Sequence, residues 1–205
     1  MRTLRIALAS LLLVAGCSTT RTGAPAPADE PASTTEKTGE TTETSETGET
    51  SATETGSKRP RDIDIASLDP CTVLNKLPLR QYGLDADPPV GNTSGIFPGS
   101  KACFANSVEN NRGLLVTAVV GRSAADYAET ANAEVTEYDA QGYPLYVLQS
   151  PQVPHTCFGV LDVHDDQFIH INFGMRDPDD RPVTPMVKLC KTVPVIAAST
   201  VSALG

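Results

Sequence analysis

The 205-residue sequence contains no Trp, and its five Tyr and five Phe begin only at Tyr82. Whatever apolar core the chain builds must draw on the later part of the sequence. Basic residues are also scarce. Sixteen Lys and Arg against 25 Asp and Glu give a formal net charge of −9, which repels a phosphate backbone and argues against a nucleic-acid partner. Long apolar runs are missing too: the run ending near Val14 is about a dozen residues, where a membrane-spanning helix needs about 20. No later segment reads as long and apolar enough to span. Motifs of several enzyme classes are lacking. There is no H-E-x-x-H and no phosphate-binding loop. Gly91-Asn92-Thr93-Ser94-Gly95 puts its serine in the wrong place for a G-x-S-x-G nucleophile elbow. No cofactor motif is present either, and enzyme activity is not supported.

The most informative stretch is Leu13-Val14-Ala15-Gly16-Cys17. Arg2 and Arg5 precede an apolar segment from Ile6 to Val14, and small residues lead up to a cysteine, the pattern of an export signal. Small residues before Cys17 match the lipobox of bacterial lipoprotein signals, in which the thiol is lipidated and becomes the first mature residue. The expected organisation is a signal peptide over 1–16 and a lipidated Cys17 opening a tether over 17–61. A folded domain over 62–205 follows, held at the extracytoplasmic face of the cell membrane.

The tether repeats a Thr/Glu/Gly/Ser theme, as in Glu43-Thr44-Ser45-Glu46-Thr47-Gly48-Glu49, without large apolar side chains. Nothing in it offsets the entropy of ordering a backbone. A flexible coil of about 40 residues has an r.m.s. reach on the order of 35 Å. Lys58-Arg59-Pro60-Arg61 reads as a basic, solvated boundary.

Within the domain, Asp62-Ile63-Asp64-Ile65 alternates as a short strand or lead-in would. Asp69-Pro70 is a helix start, with Asp able to cap and Pro suited to the first helical position. Pro78 and Gly83 bracket a second short helix. The stretch from Asp85 to Ser100 reads as a long loop, a candidate binding loop or a simple insertion. Strands are expected over Ala102–Val108, Leu114–Val120 and Tyr143–Leu148, with a short helix opened by Ser123. In the pair Cys157–Val163 and Phe168–Phe173, matching apolar faces places Asp162 opposite His170, with a turn at Asp165-Asp166-Gln167. Thr184-Pro185 starts a last helix. Its apolar stripe runs from Met186 through Leu189, Cys190, Val193 and Ala197 to Leu204, with Pro194 kinking or dividing it.

Candidate sites follow from the same residues. Four cysteines remain beside Cys17, namely Cys71, Cys103, Cys157 and Cys190, and in an exported domain they are expected to form two disulfides. Spacing leaves all three pairings open. A bridge closing about 30 residues adds about 3–4 kcal/mol on the chain-entropy model. His155, Cys157, His164 and His170 contain zinc-type ligands, but they match no strong metal spacing, and no metal is expected. His170 with Asp162 could act as a base and its orienting carboxylate in a hydrolase; a surface pair is the simpler reading.

Asp69-Pro70-Cys71, Tyr82-Gly83-Leu84, Cys103-Phe104, Gly142-Tyr143-Pro144, Cys157-Phe158-Gly159-Val160 and Leu189-Cys190 form an ordered series over roughly Asp62 to Gly205. With the lipobox and Thr-rich tether, it resembles the actinobacterial lipoproteins of the domain of unknown function 3558 family. Cys103-Phe104-Ala105 departs from the more aromatic segment expected there. The resemblance implies sequential pairing, Cys71 with Cys103 and Cys157 with Cys190. It also implies an α+β domain, similar to the Mog1/PsbP-like fold, in which helices including a long C-terminal one cover a mostly antiparallel sheet. It carries no activity and no catalytic residue. The expected function is therefore that of a non-enzymatic module binding a protein, a cell-wall component or a small ligand. The rival expectations are a carrier of lipid or another apolar molecule between helix and sheet, and the hydrolase using His170.

Overall fold

The computed structural model describes residues 59–85 and 89–205, and all structural statements concern these. The signal segment, Cys17 and nearly all of the tether lie outside the described residues.

One seven-stranded sheet, antiparallel throughout, forms the centre of the domain. Its strands are β1 Val90–Thr93, β2 Lys101–Ser107, β3 Arg112–Val120, β4 Glu134–Ala140, β5 Tyr143–Gln149, β6 Thr156–His164 and β7 Gln167–Met175. Their spatial order is β1-β2-β3-β7-β6-β5-β4. Successive strands are therefore hydrogen-bonded neighbours except across the β3–β4 connection, which carries the chain to the far edge through helix α2, Ala124–Thr130. The other helices are α1 Pro70–Leu74 and α3 Met186–Leu204. A 3-10 turn at Leu79–Tyr82 ends at Gly83, whose positive φ of 77° suits glycine.

The period-two pattern of β3 and β7 sorts side chains onto two faces. Leu114, Val116 and Ala118 stand opposite Phe173, Ile171 and Ile169, and this face lies under α1 and α3. Leu189, Val193, Ile196 and Ala197 of α3 are fully buried against it. At Gly159 the packing is close: a Cβ there would lie 2.6 Å from Cγ1 of Val193. Disulfides join Cys71 to Cys103 and Cys157 to Cys190, fixing α1 to β2 and α3 to β6. The α+β architecture and this pairing are those the resemblance implies. The opposite face carries Thr117, Val119, Phe168, His170, Val160 and Phe158, and α2 lies over it.

Several elements differ from the sequence reading. β1 lies inside the segment read as a loop, and β4 has no counterpart among the expected strands. Asp162 pairs with Phe168 and His170 with Val160, two positions from the expected register: pairing of His164 with Gln167 shortens the turn by one residue, and a bulge between Asp162 and His164 uses up another. The turn is then only Asp165-Asp166, since Gln167 already belongs to β7. Pro194 does not divide the last helix, which runs as one element. Contrary to expectation, α3 is long and apolar enough to cross a membrane by length and composition; its apolar stripe is the one that packs on the sheet.

The basic boundary is not solvated at Arg59, whose side chain is 4% exposed. Its guanidinium donates to Asp162 Oδ1 and Asp165 Oδ1, each at 2.5 Å, and to Asp62 Oδ1 at 3.0 Å. Pro60 packs against Gly142 in the β4–β5 turn. The described chain therefore begins pinned to the end of the sheet where the β4–β5 and β6–β7 turns lie. Desolvation pushes the Asp162 carboxyl above its ordinary pKa, and Arg59 pulls the other way.

Candidate binding groove

The residues proposed from sequence as metal ligands or catalytic groups are dispersed. Cys157 is bonded to Cys190 and so offers no thiolate. His164 Nδ1 lies 2.9 Å from Asp166 Oδ1 in the β6–β7 turn, whereas His170 is buried on the α2 face of the sheet. Among the described residues no group of three or more His, Cys, Asp or Glu could hold a metal ion. Asp162 is engaged with Arg59 and does not orient His170.

A groove forms instead where three connections meet. Ser123 caps α2 by accepting the Asp126 N–H at 3.1 Å, so Tyr127, on the helix's first turn, faces the sheet. The loop after β1 folds back on itself: Ser94 Oγ accepts the Phe97 N–H at 3.1 Å, and the Ser94 N–H donates to the Ser100 carbonyl at 3.1 Å. This turn inserts Phe97 into the core and leaves Ile96 outside. Pro151 and Pro154 shape the β5–β6 loop carrying Val153.

Together these segments enclose about 330 Å³ with an apolar floor of Tyr127, Leu148 and Phe158. Ile96 and Val153 stand at its edge, 51% and 41% exposed. Arg122, Thr130, Asn132, Ser150 and Gln152 supply its polar rim. The Arg122 guanidinium sits 4.7 Å from the centre of the Tyr127 ring and donates to Thr130 Oγ1 at 2.8 Å. Burial pushes the Tyr127 hydroxyl pKa up, with Arg122 opposing. A second hollow of about 610 Å³ adjoins the first through Ala131, Asn132, Ala133 and Ser150, and reaches Met186 at the start of α3.

Behind the floor lies His170, 1% exposed, with ring centroids of Phe97, Phe158 and Tyr127 at 5.0, 5.6 and 5.8 Å. Burial pushes its pKa down to about 4, so it is a neutral imidazole at pH 7. Chemically the groove offers apolar contact, a ring face and hydrogen-bonding groups at its edge, the pattern of a binding surface. A hollow of about 550 Å³ at the other end of α2 contains Arg59, Asp162 and Asp165, which already satisfy one another. The 85–100 stretch, expected as a candidate binding loop, contributes Ile96 to the groove, and Ile96-Phe97-Pro98 marks it in the sequence by placing an aromatic side chain in a Gly/Pro/Ser segment; Tyr127, Phe158 and Val153 carry no such mark.

No curated protein and no solved structure matches the chain. A family model described as Protein of unknown function (DUF3558) matches residues 12–203. Nearly the whole chain, including the ordered cysteine series and the sheet that builds the groove, thus falls within that match, and the protein belongs to this family.

Proposed function

We propose that this protein is an actinobacterial lipoprotein whose domain is a non-enzymatic binding module. An acyl lipid such as palmitate on Cys17 anchors it at the extracytoplasmic face of the cell membrane, residues 17–61 space it outward, and the groove contacts its partner. The observation that carries the binding reading is the groove itself, an open apolar floor with exposed Ile96 and Val153 inside a polar rim. Part of the groove faces away from the tether: Arg59 pins the chain at the turn end of β4 to β7, near which Arg122 donates its N–H to the Asp166 carbonyl, whereas Asn132, Ser150 and Gln152 lie toward the opposite end, about 20 Å away along a seven-residue strand. The family match begins at residue 12, so Leu13 to Cys17 lie inside the matched span.

The rival readings find less support. Close packing of Val193 over Gly159 leaves no space there for a lipid between α3 and the sheet. The hydrolase reading relied on Asp162 beside His170, and Asp162 lies elsewhere in the register. Mass spectrometry of the protein from membranes tests the anchor: the proposal expects a mature chain starting at diacylated Cys17. An unmodified Cys17 within a longer peptide would refute it.

A further inference from the structure

Thr117 and His170 are paired across β3 and β7, are 0% and 1% exposed, and project to the α2 face. Thr117 Oγ1 and His170 Nε2 are buried without a hydrogen-bond partner. Two such atoms at one cross-strand position are unusual, because burial strips them of water and returns nothing. One layer of rings separates them from the groove: Tyr127 and Phe158 touch His170 on one side and line the groove on the other. Phe97 completes the layer, and it is carried by a loop whose backbone hydrogen bonds from Ser94 to Ser100 and from Ser100 to Phe97 are internal to that loop.

We propose that the groove continues inward past Phe97 to Thr117 and His170, and takes a small neutral molecule with an apolar ring body and one hydrogen-bonding end. The ring would stack among Tyr127 and Phe158, and the polar end would satisfy Thr117 Oγ1 and His170 Nε2. A neutral imidazole offers one donor and one acceptor, and a hydroxyl offers both, so the ligand's end is a hydroxyl or carbonyl. A charged end is disfavoured, since the charged side chain of the groove, Arg122, stands at the rim over Tyr127. The groove's 330 Å³ falls at the small end of ligand sites. This inference rests on the groove being the contact surface.

The test compares 2-naphthol with naphthalene, identical in ring body and differing in the hydroxyl, by fluorescence titration and by NMR of the His170 ring nitrogens. The wild-type protein should bind 2-naphthol at least about tenfold more tightly, equivalent to about 1.4 kcal/mol, with the His170 resonances shifting. In the double variant Thr117→Val, His170→Phe the preference should fall below about threefold while naphthalene still binds. Phe97→Leu, which keeps an apolar side chain in the layer, should change the affinity for 2-naphthol without abolishing the preference. Equal binding of the two probes, absence of binding, or a preference that survives in the double variant would each overturn the proposal. Photocrosslinking from Val153 in intact cells reads the groove separately. A protein adduct with no naphthol binding removes the ligand class and leaves the groove; naphthol binding without an adduct keeps the ligand class and removes the protein partner.

Discussion

His170 gives the domain a specific sensitivity to acid whose size follows from the structure. Burial among Phe97, Tyr127 and Phe158 holds its pKa at about 4, against about 6.5 for an unperturbed imidazole. Between these values the unfolded chain binds a proton that the native state does not, so stability rises with pH there and is lost as pH falls. From pH 7.5 to pH 5 the loss from this side chain is about 2 kcal/mol, and below pH 4 it approaches about 3 kcal/mol. Asp162 acts with the opposite sign, because its raised pKa contributes stability at low pH that fades as pH rises through the carboxylate range. The diagnostic is therefore the difference between the wild type and His170→Phe, whose ring suits its aromatic neighbours. Urea unfolding at pH 7.5 and pH 5 should show the wild type losing about 1 M more in midpoint than the variant. Equal losses would refute a buried neutral imidazole at this position.

Two further substitutions probe the frame around the groove. Gly159→Leu would drive a side chain into Val193, whose Cγ1 already lies 2.6 Å from a hypothetical Cβ, and should cost at least about 3 kcal/mol by thermal or urea unfolding. Wild-type stability in that variant would mean that α3 does not lie on β6 as described. Arg59→Ala leaves the half-buried Asp162 without its cation and should cost about 2 kcal/mol, between the values of surface and buried pairs. The same variant should free residues near Arg59 for proteolysis, and unchanged digestion would argue against the pinning.

Local chemistry made part of the fold legible. Asp69 and Ser123 announced helices because a cap is a contact within three residues, and both cap as expected. Parity along β6 and β7 was equally readable: the apolar set falls on the α3 face although the register is shifted by two, since a two-residue shift preserves the face. The bulge that supplies one of those two positions has no mark in Asp162-Val163-His164. β4 was illegible because Glu134 through Asp139 are all exposed, leaving no alternation to read; pairing to β5 makes it a strand. The Arg59 clamp joins residues 103 and 106 positions apart, which no spacing rule anticipates. The groove was hidden for the same reason, since Ile96, Tyr127 and Val153 come from three loops or helices that only the sheet brings together.

The central claim is that the groove is where this protein meets its partner. A photoreactive amino acid at Val153 in the groove, and another at Val187 on the exposed side of α3, would be compared in the full-length protein in intact cells. The account predicts a discrete adduct from position 153 and none from position 187. Adducts of equal yield from both positions, or from 187 alone, would contradict it.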